Sequence, residues 1–419
     1  MRQCRPAHQA RFEEVPMTAA LPPLRLKPGE DKRLRAGHLW VFSNEVDIDA
    51  TPLKAFEPGQ DALLVDSRGH ALGTVYVNPG SLICARLVSR DSRYRLDESL
   101  LVHRLKLALG LRERLFDAPY YRLVHGEADG LPGLVIDRFG DACVVQVNTA
   151  GMERVRDSIV TALGRVLGEG PVLLRCDSAV RELEGLTRYQ AWGSGPEAQT
   201  LEVVENGVRF QVPATTGQKT GWYYDHRMNR QALRPWVPGR RVLDVFSYMG
   251  AWGVQAAVAG AAEVFCVDSS EQALDGVAEN AALNGVSDQV AGVQGDAFDA
   301  LAELRQANER FDVVVVDPPA FIKRKKDFRQ GFKAYQRLNR MAMQLLNKEG
   351  LLVTASCSAH LPEQRLLDAA QAGARHLERS LRVVALGHQG PDHPVHPAIP
   401  ETRYLKAAFC RVLPAGSMP

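Results

Sequence analysis

The sequence predicts an α/β protein: a doubly wound, mostly parallel sheet preceded by a small β barrel and a central α+β domain. Three observations predict it. From Arg240 onward, short apolar runs alternate regularly with helical segments, the pattern of parallel strands joined by right-handed crossovers. Between Leu24 and about Arg90 the runs are shorter, alternate polar and apolar side chains, and are punctuated by Gly, Asn and Pro, as in a small barrel. Between these lies a leucine-rich helical stretch followed by strand-like runs around a Gly/Asp turn. With 419 residues the chain exceeds one ordinary domain of ~100 to 200 residues. The expected divisions are a disordered tail over 1–20, the barrel over 21–92, the α+β domain over 93–198 and the doubly wound domain over 199–419.

Composition bounds the function. An apolar fraction of 45% and a charged fraction of 24% are those of soluble globular protein. A net charge of +2 does not by itself indicate nucleic acid, so any basic surface must be local. No apolar run approaches the ~20 residues that span a bilayer, and "MRQCRPAHQARFEEVP" lacks the apolar core of a secretory signal. The seven cysteines are scattered without a CxxC pair, which argues against zinc and disulfides and fits a reducing cytoplasm. A second methionine, Met17, marks another possible start of translation.

Taken in order, the barrel region carries Arg25, Lys27, Lys32, Arg33 and Arg35 beside Trp40 and Phe42, a cluster that reads equally as a solvated face or an RNA surface. "ESLLVHRLKLALGLRERLF" has leucines at helical spacing. Gly126, Gly130, Gly133 and Gly140 fit hairpin turns better than a phosphate loop, because no GK[ST] follows. A helix over about Met152 to Leu167 and the strand "PVLLRCD" complete the central unit. The strands of the last domain read "RVLDVF", "EVFCVD", "VAGVQGD", "FDVVVVD", "GLLVTASC", "LRVVAL" and "YLKAAFCRVL", with helices between most of them.

In such sheets ligands sit at the carboxyl ends of strands near the switch in strand order. The first turn, "DVFSYMGAWG", supplies Gly250 and Gly253 but not the GxGxxG that closes on a pyrophosphate. A dinucleotide is therefore disfavoured. A nucleoside without phosphate needs a close backbone approach there and an acid at the next strand's end for ribose hydroxyls, which Asp268 provides. The third strand ends on Asp296 and Ala297. S-adenosyl-L-methionine meets these requirements, and its sulfonium tolerates Asp244. The expected cofactor-binding residues are Asp244, Phe246, Ser247, Gly250, Asp268, Ser269, Asp296, Ala297 and Asp317.

The fourth strand ends in "DPPAF". Pro318 and Pro319 stop the strand and withhold two backbone donors, so Asp317 and Phe321 can meet a flat substrate. The fifth strand ends on Ser356, Cys357 and Ser358. If it neighbours the fourth, ~4.8 Å away, Cys357 and Asp317 face one pocket. A lone cysteine is usually a small buried hydrophobe. Beside a methyl donor, a thiolate has a specific use: attack on carbon 6 of a pyrimidine makes carbon 5 nucleophilic. Cys357 is then the nucleophile and Asp317 the carboxyl group at N3; no residue is identified as activating the thiol.

"TTGQKTGWYYDHR", "VLDVFSYMGAWG", "ENAALNG", "VVVVDPPAFIKRKKDF", "ASCSAHL" and "DHPVHPAIPETRYLK", with upstream "VHGEADGLPGLVIDRFGD" and "LKPGEDKRLRAGHLWVFSNEV", resemble the RlmI family of 23S ribosomal RNA 5-methylcytosine methyltransferases. The likeness covers nearly everything after residue 21. It implies an amino-terminal PUA domain, a central α+β domain, a Rossmann-like class I methyltransferase domain and a single catalytic cysteine at Cys357. Ala320 stands where the family commonly has lysine.

The expected partner is 23S rRNA or a large-subunit precursor, with no membrane and no metal; a homodimer is left open. "IKRKKDFRQGFK" concentrates Lys323, Arg324, Lys325, Lys326, Arg329 and Lys333 past Asp317, suited to phosphates beside a base-modifying pocket. Lys219 and Arg227, with Pro318, Pro319, Phe321 and Lys323, complete the expected substrate contacts. His388, His393 and His396 read as a loop rather than metal ligands. Two rival functions stand: methylation of an exocyclic base amine with Cys357 merely packed, and a non-catalytic RNA-binding protein with a vestigial fold.

Overall fold

The computed structural model describes residues 20–414; the expected tail, and the choice between Met1 and Met17, lie outside the described residues. The first sheet comprises β1 (Pro23–Arg25), β2 (Trp40–Phe42), β3 (Gln60–Val65), β4 (Ala71–Val77) and β5 (Ile83–Ser89), in the order β1-β3-β4-β5-β2. A bridge between Leu26 and Val46 joins its outer strands, closing the sheet into a barrel. Leu24, Val41, Leu64 and Val75 fill it. The basic cluster here is largely partnered: Arg33 clamps Glu45 at 2.7 and 2.9 Å, and Arg35 reaches Asp31 and Asp66.

The helix Glu98–Leu115, capped by Asp97 on Leu100 N at 2.9 Å, leads into a second sheet. Its strands are β6 (Tyr120–His125), β7 (Leu134–Phe139), β8 (Ala142–Val147), β9 (Val172–Cys176) and β10 (Tyr189–Ser194), in sequential order. Three strands therefore form from the strand-like runs expected around the Gly/Asp turn. The helix expected over Met152–Leu167 is broken at Val155 into Ala150–Arg154 and Arg156–Leu167.

A hairpin missing from the sequence reading follows, β11 (Thr200–Glu205) paired with β12 (Val208–Pro213). Its alternating Val203, Phe210 and Val212 join Phe139 and Leu173 of the second sheet to Val242 and Val264 of the last one, so one core runs through all three.

The last sheet has seven strands: β13 (Arg241–Val245), β14 (Glu263–Asp268), β15 (Val290–Gln294), β16 (Phe311–Val316), β17 (Leu346–Ser356), β18 (Arg379–Gly387) and β19 (Lys406–Pro414). Their order is β15-β14-β13-β16-β17-β19-β18. The first five are parallel, and β19 runs antiparallel between β17 and β18. Strand order reverses at β13, which lies between β14 and β16, so the crevice opens at the carboxyl ends of β13 and β16. Among the described residues no helix is long and apolar enough to cross a membrane.

Candidate active site

The turn after β13 is held under strain. Phe246 and Tyr248 adopt positive φ of 68° and 49°, a conformation that costs of order 1 kcal/mol or more for such side chains and collects at functional sites. Backbone bonds maintain it: Phe246 N and Ser247 N both donate to the Val267 carbonyl, at 2.9 and 3.0 Å. Asp268 braces the same turn, accepting from Tyr248 N at 2.9 Å and Ser270 N at 3.0 Å. Gly250 completes it at φ 81°, where a Cβ would come within 2.8 Å of Val254.

Two buried polar atoms in this crevice lack partners, Asp244 Oδ1 and Ser247 Oγ. Asp244 is fully buried and uses its other oxygen on Gly253 N at 2.9 Å. Burial raises its pKa to about 7, with the nearby carboxylates of Asp317 and Asp268 adding to the effect. Three strand-end acids and two orphaned acceptors suit a ligand with positive charge and hydrogen-bond donors. Asp296 caps the helix Ala297–Gln306 through Phe298 N at 2.8 Å. Ala297 is buried, and Ser269 is exposed at the rim.

Asp317 follows β16 directly. Trp252 Nε1 donates to its Oδ2 at 3.1 Å, while His226 Nε2 stands 3.2 Å from Oδ1 and the carboxylate keeps 22% of its side-chain surface exposed. Burial would raise its pKa, but the charge and bonding of His226, together with Trp252, outweigh that and hold it below the ordinary value. His226 Nδ1 accepts from Asn229 Nδ2 at 3.0 Å, which leaves the Nε2 proton facing Asp317.

The serines flanking Cys357 explain its position. Tyr335 OH lies 2.7 Å from Ser356 Oγ and 3.2 Å from Ser358 Oγ, all three buried. Ile322 N donates to Ser358 Oγ at 3.3 Å, tying the Asp-Pro-Pro loop to the end of β17. Lys406 Nζ donates to the Ser358 carbonyl at 2.5 Å. With both neighbours anchored inward, the intervening side chain is the one left to face the crevice. Five of the six described cysteines are buried, and Cys357 alone is partly exposed. Burial raises its pKa; the Lys219 ammonium pulls it down, and Asp317 and Asp225 push it up.

Of the other expected contacts, Lys219, Pro319 and Lys323 are exposed and Pro318 is buried. Lys219 Nζ lies 4.4 Å over the Tyr223 ring. Phe321 packs between Phe246, Phe298 and Tyr335. Arg227 is corrected: it is buried, donates to the Tyr120 carbonyl, covers Phe116 at 4.4 Å and lies 3.7 Å from Glu205. Its guanidinium ties two sheets together and does not face a substrate. Arg230, likewise buried, is clamped to Glu205. His393 pairs with buried Asp392 at 3.0 Å, and among the described residues no cluster could hold a metal ion.

The sequence reading missed His226, Trp252, Tyr335, Asp225 and Lys406. His226 and Asp225 lie inside the quoted run "GWYYDHR", where adjacent acid and imidazole were the available signal. Lys406 was marked only by its place in a strand, since a lysine inside "YLKAAFC" breaks an apolar run.

Fold and crevice together define a class I S-adenosylmethionine-dependent methyltransferase, and residues 178–406 match the family described as "S-adenosylmethionine-dependent methyltransferase". A PUA-like domain matches residues 24–90. Ribosomal RNA large subunit methyltransferase I of Erwinia tasmaniensis is 38% identical over 93% of this chain and 99% of its own length. The protein of the same name from Klebsiella pneumoniae is 36% identical over 95% of this chain and 100% of its own. The chain belongs to this ribosomal RNA large subunit methyltransferase I family. A putative methyltransferase solved in complex with SAH superposes with a TM-score of 0.79 at 22% identity, covering 93% of this chain and 100% of its own. A putative SAM-dependent methyltransferase from Streptococcus mutans gives 0.77 at 21%, with the same coverage. At such identities these two speak for the fold.

Proposed function

We propose that the chain methylates carbon 5 of a cytosine in 23S rRNA, with Cys357 as nucleophile and Asp317 as the group at N3. The observation that carries this reading is a partly exposed thiol and a carboxylate at the ends of adjacent parallel strands, beside the acid-lined cofactor turn. The names of the relatives support large-subunit rRNA as the substrate, which fits a cytoplasmic protein.

Carbon 5 of cytosine is not nucleophilic on its own. The Cys357 thiol gives its proton to the Asp317 carboxylate and adds as thiolate to carbon 6, which opens the 5,6 double bond, and Asp317 passes that proton on to N3, leaving an enamine at carbon 5. Asp317 is ionised at neutral pH beside His226, so it can take the thiol's proton before handing it to N3, while His226 Nε2 holds the carboxylate in place. Bound in the crevice, S-adenosylmethionine supplies the electrophilic methyl group that carbon 5 takes. Loss of the carbon 5 proton to a base then expels the thiolate, and N3 returns its proton through Asp317 to the thiolate. Lys219 favours the thiolate by lowering the thiol's pKa, and Lys406, brought down to about 8 by burial, has Cys357 opposing that shift. The base must leave any stack to reach the thiol. Exposed Lys323, Lys325, Lys326, Arg329 and Lys333 flank the Asp-Pro-Pro loop and suit the phosphates around it.

Nuclease digestion and mass spectrometry of 23S rRNA from a deletion strain tests this. One 5-methylcytidine should disappear, and return with the wild-type gene but not with Cys357→Ala. Loss of an N-methylated base, restored by both genes, would favour the exocyclic-amine reaction.

A further inference from the structure

Where the barrel, the helix Glu98–Leu115 and the loop at 388–405 meet, there is a groove of about 870 Å³. None of the chemistry above uses it. The guanidinium of Arg104 lines one wall. Nη2 makes a 3.2 Å bond to the Val88 carbonyl, Nη1 lies so close to Gly130 that a Cβ there would be 2.2 Å from it, and Nε is buried without a partner. The acids in the groove are already engaged. Asp129 holds Arg112 with both oxygens at 2.6 and 2.8 Å, Glu127 accepts from Trp40 Nε1 at 2.9 Å, and Asp91 pairs with Arg93 at 2.6 Å. Burial lowers the Arg104 pKa with no carboxylate opposing it. A half-buried guanidinium without a counter-charge is costly to keep, and an anion removes that cost.

Arg90 and His396 line the same groove. His396 Nδ1 accepts from Ala398 N at 3.2 Å, so its Nε2 proton remains available to donate. Beside these donors Tyr94 and Leu107 expose 54% and 59% of their surface, a flat apolar flank of the kind on which a base stacks. The groove is also coupled to the catalytic centre. The loop that carries His396 continues to Tyr404, whose hydroxyl donates to Asp225 at 2.6 Å, next to His226. Eight residues of chain span at most about 29 Å, so one folded RNA element reaches both places.

We propose that this groove is a second RNA subsite, in which Arg104, with Arg90 and His396 beside it, holds a backbone phosphate while Tyr94 stacks on a neighbouring base. The proposal rests on the reading of the substrate as RNA. A phosphate there fixes the position of the RNA without reading its sequence, so it contributes affinity and register to a cytosine presented elsewhere.

Filter binding of a 23S rRNA transcript to the full chain, over about 50 to 200 mM salt, tests it. Arg104→Gln should weaken binding about tenfold and reduce the slope of log affinity against log salt by about 0.7, one phosphate's share on a single strand. Tyr94→Ala, on an exposed side chain, should weaken binding severalfold and leave the slope alone. S-adenosylmethionine affinity by calorimetry serves as the fold control for both. Unchanged affinity and slope in both folded variants would overturn the subsite while leaving the RNA reading intact. Absence of RNA binding by the wild-type chain would overturn that reading itself. Tight binding of AMP that Arg104→Gln abolishes, with RNA affinity unaltered, would make the groove a free-nucleotide site and also overturn the proposal.

Discussion

Asp244 allows the donor crevice to be tested through its charge. Its carboxyl is fully buried at the end of β13, and burial, opposed by the Gly253 N–H, raises its pKa from an ordinary 3.8 to about 7. At about 1.4 kcal/mol per pH unit this corresponds to roughly 4 kcal/mol. Between those values the folded, ligand-free protein keeps a proton that the unfolded chain has released. The stability this group contributes is therefore complete below pH 3.8 and lost as pH rises through about 7. A sulfonium in the crevice favours the ionised form. If it returns the carboxyl close to its ordinary value, binding releases a proton below pH 7, and affinity rises about 25-fold between about pH 5.5 and 7.5. S-adenosylhomocysteine, whose sulfur is neutral, should show a much smaller rise. Calorimetry in buffers of different ionisation heat counts the proton and gives both affinities. Asp244→Asn should flatten the pH dependence and make the cofactor-free protein more stable at pH 8 by up to a few kcal/mol. Parallel pH curves for the two ligands, or an unchanged slope in Asp244→Asn, would refute the reasoning.

His226→Gln, whose amide can still donate to Asp317, should keep activity within about tenfold, whereas His226→Ala should lose about a hundredfold or more. With the imidazole gone the Asp317 pKa rises, so the acid limb of the kcat profile should move to higher pH in the alanine variant; an unmoved limb would exclude the pairing. Tyr335→Phe removes the hydroxyl that anchors Ser356 and Ser358, and should cost about 1 to 3 kcal/mol in urea unfolding. Its kcat should fall while S-adenosylmethionine affinity holds, because the cofactor turn is built on β13 and β14; equal losses in both would contradict that division.

The sequence made the doubly wound sheet legible because each parallel strand is a continuous apolar run closed by an acid or a small residue, as in "EVFCVD" for Glu263–Asp268. The same rule located Asp268 and Asp317, whereas Asp244 lies one residue before the end of Arg241–Val245. The hairpin Thr200–Pro213 was not separated from its surroundings, although its strands alternate cleanly, because its meaning is tertiary: it fills the space between two sheets. Arg227 looked like a surface cation in a polar run, and only packing shows it buried against Phe116 and Glu205. The site's second layer was hidden for the same reason. Tyr335 lies in the middle of a helix, Lys406 at the start of a late strand and His226 far upstream, and nothing in local spacing says that these converge on Ser356–Cys357–Ser358 and Asp317.

In the proposed reaction Cys357 bonds to the base it prepares for methylation. Incubating the protein with S-adenosylmethionine and a 23S rRNA transcript made with 5-fluorocytidine, then running a denaturing gel and measuring intact mass, reads that bond directly, because fluorine at carbon 5 blocks release of the thiol. The account predicts a stable protein–RNA adduct with wild type and none with Cys357→Ala. Methyl transfer to ordinary RNA by Cys357→Ala at near wild-type rate, with no adduct from either protein, would contradict it.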